Sequence, residues 1–243
     1  MLCYNKNSLE TEVQVQFEKM SPFLKTIENE VQIAALLFLV VVYLLRLRWL
    51  FKFRSRKERT FAAGKEREGI AYSLLNVAMP WAMESARKNP FFYAQFIIFH
   101  IGVAAAIGAT FVIPYWPSLF KINVVVRLFQ VFIAAAFFVS LIRLYRRISN
   151  PALRLISSLD DYLSLILMIL FFAAGVVAVP NRYEIGEWPL ILFFGLTAFL
   201  LVYVPFSKIG HYLYYPISRF FLGRTLGHRG VFPVHKSPKD KLD

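Results

Sequence analysis

Residues 90–113 read PFFYAQFIIFHIGVAAAIGATFVI, 24 residues with no charge and a single histidine, His100. A helix rises about 1.5 Å per residue, so about 20 such residues cross the hydrocarbon core of a bilayer. Four more stretches of this kind flank it: Glu30–Leu50, Asn123–Ile142, Tyr162–Val179 and Pro189 to about Tyr212. The first of them is uncharged over Ile33–Leu45, with Arg46 and Arg48 near its end. The pattern predicts an all-α fold, a polytopic membrane bundle of five transmembrane helices. The first 30 residues are polar and acidic, which is not the pattern of a cleaved signal peptide.

The composition agrees with that class. Hydrophobic residues make up 58% of the 243, charged residues 18%, and yet the net charge is +13. Soluble domains carry about a quarter charged residues. Disorder, a basic nucleic-acid-binding domain with an ordinary surface and a disulfide scaffold are all excluded, the last because Cys3 has no partner in the chain. The basic residues are unevenly placed. Segments 46–92, 143–161 and 207–243 hold 22 of the 28 Lys and Arg, whereas the acids divide 8 against 7. A Lys/Arg bias without an acidic bias orients spans with those segments in the cytoplasm. The N-terminus is therefore expected outside and the C-terminus in the cytoplasm, as five spans require. The segments are an outer stretch 1–29, a spanning domain 30–215 with cytoplasmic loop 51–89, and a cytoplasmic tail 216–243. The outer loops, Pro114–Lys121 and Pro180–Glu187, are short.

The long inner loop opens with a charged run, Arg54–Glu68, which reads as a solvated face beside anionic headgroups or as a landing platform for a cytoplasmic subunit. Ile70–Met83 is apolar and aromatic and reads as a helix lying in the interface plane. The tail, broken by Pro and Gly within Gly227–Pro238, is expected to wrap a partner or lie on the inner face.

Little in the chain asks for chemistry. There is no phosphate-cradling loop, no nucleophile–base constellation, and no Cys/His spacing for zinc. Asp160 and Asp161 have a structural reason at the start of the fourth span, as helix caps. A transporter would want an intramembrane charge pair or broken helices, and the central parts of the spans hold no acid. Four histidines remain. His228 and His235 lie in the polar tail and read as surface or partner contacts. His100 lies inside the second span, roughly 15 Å along the axis from Pro90. His211 ends the fifth span, which runs the other way, so both belong to the inner half of the membrane. Two imidazoles facing each other across a bundle can ligate one haem iron. Ala104 and Gly108 follow His100 on the same helix face, where a flat macrocycle could approach, or another helix could pack. The plain alternative for His211 is an aromatic interface belt with Tyr212, Tyr214 and Tyr215. Lys208 and Arg219 could meet haem propionates or simply anchor the inner face.

Three stretches carry a family resemblance. They are Phe99-His100-Ile101-Gly102, Asn150-Pro151-Ala152-Leu153-Arg154 followed by Asp161, and Pro205-Phe206-Ser207-Lys208-Ile209-Gly210-His211. Over roughly residues 30–215 the chain resembles the cytochrome b (gamma) subunit of respiratory nitrate reductase. It looks closer in kind to relatives paired with heterodisulfide-reductase-like iron–sulfur subunits, as in sulfate-reducer transmembrane complexes. That family has two b haems, and its outer pair of ligand positions corresponds here to Thr110 and Phe193. The resemblance therefore implies one haem b, on the cytoplasmic side, with His100 and His211 as axial ligands. It also puts the family's quinol site in doubt, leaving the volume beside Thr110 and Phe193 as a candidate place for menaquinone or another quinone.

The expected function is a membrane-anchored electron-transfer subunit of a respiratory oxidoreductase complex in the cytoplasmic (inner) membrane. It would link the quinone pool, or another membrane or periplasmic redox subunit, to a cytoplasmic iron–sulfur subunit, and would not be a complete enzyme alone. No nucleic acid is expected as a partner. A haem-free membrane anchor or assembly subunit is the alternative.

Overall fold

The computed structural model describes residues 20–53, 58–79, 84–181 and 186–234. Cys3, His235 and the last tail residues lie outside them. Among the described residues every regular element is helical: α1 (Pro22–Lys52), α2 (Glu66–Leu75), α3 (Pro90–Tyr115), α4 (Asn123–Ser149), α5 (Leu159–Ala178), α6 (Trp188–Phe206) and α7 (His211–His228). Short helical turns also occur at Glu84–Lys88 and Pro151–Leu155. Five of these helices, α1, α3, α4, α5 and α6, are long and apolar enough to cross a membrane. The chain divides into two compact units, Met1–Val42 with Gln95–Lys208, and Tyr43–Ala94 with Ile209–Asp243.

The boundaries of the elements follow local chemistry. Ser21 caps α1 by accepting the Leu24 N–H, and Pro22 fills the first position, where no N–H is needed. α1 thus begins at Pro22, earlier than the expected Glu30. Ser158 and Asp161 form a reciprocal capping box at the start of α5, which accounts for that acidic pair. Asn150 caps the turn Pro151–Leu155 by accepting from the Ala152 and Leu153 N–H groups. The fifth span stops at Phe206, short of the expected Tyr212. Pro205, with no N–H to donate, is buried in a tight last turn, and Ser207 is extended. His211 therefore opens a separate helix instead of closing a span.

In the first unit, α4, α5 and α6 share an apolar core of Ile133, Ala136, Phe171, Phe172, Phe193 and Phe194. Gly175 lets Phe193 and Ile133 lie against α5, since an added Cβ would meet Phe193 at 3.2 Å. The outside of the helices is as apolar as the inside, with Leu37, Val131, Phe138, Leu170, Val177 and Phe199 all exposed. Lipid is the solvent that tolerates such a surface. One end of this unit is tied by a polar network. The Tyr203 hydroxyl and the Lys208 N–H donate to Asp160, while the Lys208 ammonium donates to Asp161 and to Ser158. Arg147 reaches Asp161 at 3.4 Å and donates to Ser157 at 2.7 Å.

In the second unit, α2 lies against α7 on glycines. A Cβ on Gly69 would sit 2.4 Å from Gly227 Cα, and one on Gly223 would sit 2.6 Å from Gly69 O. Small residues at four-residue spacing allow this approach. Ala63 and Gly64 donate their N–H groups to His228 O, and Arg229 donates to Glu58 at 2.7 Å. The Arg219 Nε donates to Ser73 O at 2.9 Å. These contacts revise three expectations. The helix expected over Ile70–Met83 is instead α2, ending at Leu75 before a tight turn at Asn76–Ala78. The tail, expected to be broken from Gly227 onward, is helical through His228, with Pro216 inside the helix, and this part of it packs on α2. His228 is half-buried and within hydrogen-bond distance of Thr60 O, at 2.9 Å, and 3.4 Å from Glu66; it is an internal contact.

Candidate functional site

His100 stands in the middle of α3, within the first unit, and is half-buried. Its Nδ1 lies 2.7 Å from Phe96 O, one helical turn back. The carbonyl can only accept, so Nδ1 carries a proton, and in the neutral imidazole Nε2 then carries the lone pair. That is the tautomer a metal-bound imidazole uses, with the backbone carbonyl fixing the ring. The Phe96 ring lies 4.2 Å from the imidazole and the Phe99 ring meets it edge-on at 5.6 Å. Phe99 in turn meets Phe172 edge-on at 5.5 Å, and the Arg143 guanidinium covers it at 4.7 Å.

α3 carries two stripes of small residues, and they have different uses. Gly102, Ala106 and Ala109 are buried. At Gly102 an added Cβ would fall 2.2 Å from Ala136 Cβ, so this stripe packs on α4. Ala104 and Gly108 lie one and two turns beyond His100, on a different face. Ala104 is exposed, and at Gly108 an added Cβ would meet the Phe129 ring at an ordinary 3.6 Å. The histidine face is therefore the one that tight helix packing leaves alone, which suits the approach of a flat macrocycle.

His211 belongs to the second unit, where it is the first residue of α7 after buried Gly210. Its side chain is exposed. The tyrosines around it are engaged: Tyr43 donates to Tyr212 at 2.6 Å and Arg46 to Tyr214 at 2.9 Å. Arg219 lies 5.9 Å from the Tyr215 ring. The two cations offered by the sequence for propionates, Lys208 and Arg219, have the protein partners given above.

Thr110 and Phe193 differ in surroundings. Thr110 donates its hydroxyl to Ile107 O of its own helix at 2.7 Å. Phe193 is fully buried, stacked on Phe171 at 5.2 Å and edge-on to Phe194 at 5.5 Å. Protein rings fill the space around it. A cavity of about 260 Å³ opens instead between the ends of α4, α5 and α6, walled by Gln130, Val176, Ala178, Pro180, Pro189 and Leu190. Gln130 spans its edge by donating to Val176 O at 3.0 Å.

Sequence reasoning missed three features here. Arg143 lies one residue past the expected end of the third span, yet α4 continues and brings it over Phe99. Glu28, placed by the sequence in the polar outer stretch 1–29, is 2% exposed. The glycine contact of α2 with α7 joins positions more than 150 residues apart, for which no local signal exists. Outside the spans, the Arg229 guanidinium holds the Glu58 carboxyl below the usual carboxylate range.

Among the described residues no group of three or more His, Cys, Asp or Glu could hold a bare metal ion, whereas a haem iron needs only two axial imidazoles. The chain is a multi-pass helical membrane protein. No family model, curated protein or solved structure matches it.

Proposed function

We propose that the protein is a membrane-anchored haem b electron-transfer subunit, with His100 and His211 as the axial ligands of one haem. It would link the quinone pool, or a partner membrane subunit, to a cytoplasmic iron–sulfur protein, as the resemblance to the nitrate reductase gamma subunit and its heterodisulfide-reductase-associated relatives implies. The observation that carries this reading is the state of His100. It is half-buried in a span, with Nδ1 committed to the Phe96 carbonyl, on the helix face where Ala104 and Gly108 leave room. An ionisable side chain in a span is costly and usually functional.

The bound haem would supply one-electron transfer. The chain's own residues do the rest. The Phe96 carbonyl orients the His100 ring, and the aromatic rings of Phe96 and Phe99 keep water from it. Arg143 adds positive charge beside Phe99, which favours the reduced form of a redox group nearby. The orientation with the N-terminus outside and the cytoplasmic (inner) membrane as the location rest on the Lys/Arg distribution. The second unit carries 17 of the 28 cations and 6 of the 15 acids, a surface suited to an acidic cytoplasmic subunit.

The test is a reduced-minus-oxidised spectrum of the purified protein. A b-type spectrum with about one haem per chain is expected, and it should be lost in His100→Ala and in His211→Ala. Colourless protein, or spectra indifferent to both changes, would sink the reading. The haem-free anchor or assembly reading has its own support, since Lys208 and Arg219 have protein partners and α2 and α7 form a self-contained unit. It predicts that both histidines are replaceable without loss.

A further inference from the structure

Glu28 is the feature the proposed electron-transfer role leaves unused. It lies about two turns into α1, in a π-helical turn, Thr26–Val31, set between two α-helical stretches. Its side chain is 2% exposed, and Oε2 has no hydrogen-bond partner among the described residues. An ionised carboxylate without donors is expensive in such a place, while the neutral acid costs far less. π-turns inside helices frequently mark functional positions.

The turn is fixed against α6 on both sides. Before it, the Ser21 N–H and hydroxyl both donate to Glu187. After it, Gln32 donates to Ile27 O at 3.2 Å and to Phe194 O at 2.7 Å. α1 and α6 run the same way, so Glu28 is level with the stretch between Glu187 and Phe194. Pro189 and Leu190, in that stretch, wall the cavity of about 260 Å³. Next to Pro180 of the same wall, Asn181 Oδ1 is a second buried acceptor with no partner among the described residues. The charged groups nearest in the chain or across the contact are Lys25, Glu30 and Glu187, the last committed to Ser21. An apolar cavity with a buried acid level with its Pro189–Leu190 wall, and an orphan acceptor one residue beyond its Pro180 wall, suits a ring that bears hydroxyl groups.

We infer that Glu28 is a buried proton-exchange site serving a quinone or hydroquinone ring at this end of the first unit. The inference rests on the electron-transfer reading and places the ring away from Phe193, whose surroundings are filled. A hydroquinone oxidised there loses two electrons and two protons. The electrons leave singly through the haem, and one O–H proton replaces a proton that Glu28 has released to water on the face assigned outward by charge. The second proton goes to water. In the reverse direction Glu28 donates its proton to the ring oxygen and is reprotonated from water.

The experiment uses the full chain in lipid nanodiscs. Infrared difference spectra across a pH step and in D2O should show a protonated-carboxyl stretch that Glu28→Gln removes. In the same samples, haem reduction by a short-chain naphthohydroquinone should slow about tenfold or more in Glu28→Gln, with the haem spectrum unchanged, and recover in part in Glu28→Asp. If the band survives Glu28→Gln, or is lost while the reduction rate stays the same, the inference is overturned. Colourless protein would sink the electron-transfer reading on its own, while the carboxyl band still decides whether Glu28 carries a proton.

Discussion

Gly69 of α2 and Gly227 of α7 approach so closely that a Cβ on the first would lie 2.4 Å from the Cα of the second. The obstructing atoms are backbone, so no side chain can swing aside to relieve a larger residue. Gly69→Val and Gly227→Val should each part α2 from α7. Overpacking of this kind costs about 1–3 kcal/mol. Limited proteolysis within 58–79, compared with the spans, measures it. Unchanged cleavage in both variants would show that the two helices are not held together this way.

His100→Ala should abolish a haem spectrum, whereas Lys208→Ala should leave haem content unchanged, because the Lys208 ammonium serves Asp161 and Ser158. Pyridine haemochrome assay of both variants checks the pair. Loss of haem in Lys208→Ala without loss of thermal stability would return that lysine to the site.

Arg143→Leu tests the cation that covers Phe99. Removing a positive charge near a redox group disfavours its reduction, so the haem midpoint potential should fall by tens of millivolts. Potentiometric titration reads the change. A midpoint that rises or stays fixed would place Arg143 outside the haem's field.

Ser158→Ala removes half of a capping box and one partner of Lys208. A lost cap costs about 1 kcal/mol. The thermal midpoint in detergent should fall, with no effect on haem spectra. An unaltered midpoint would mean that Asp161 alone secures the start of α5.

The pH response of the second unit should follow Glu58. Its carboxyl is held below the ordinary range by Arg229, so the pairing is fully present above that ordinary range. The pairing is lost only as pH falls through the depressed value. Protease sensitivity around residue 60 should stay flat from neutral to mildly acidic pH and rise only in stronger acid. In Glu58→Gln the acid-dependent part of that rise should vanish. A rise near neutral pH in the unaltered protein would assign the contact to another group.

The spans were legible because an uncharged run such as 90–113 has few alternatives in a helical membrane protein. Their ends were less so. Lipid-facing and core positions are equally apolar, so hydropathy could not show that Pro205 and Ser207 break the chain before His211. It also could not separate the two small-residue stripes of α3, since Gly102 and Ala104 differ only in which neighbour faces them. Glu28 reads from sequence as part of the polar outer stretch because the contacts its turn makes are with α6, distant in sequence. His100 stands out as a candidate for the opposite reason: a lone imidazole in an apolar run is conspicuous.

The glycine seam also bears on the order in which the protein can be made. α2 leaves the ribosome early, and its counterpart α7 follows only after α3, α4, α5 and α6 have been synthesised. Through that interval the Gly69 face has no seat, and a chain stalled anywhere before Gly223 leaves it uncovered. Closure of the seam therefore requires that α3, α4, α5 and α6 have all been synthesised first.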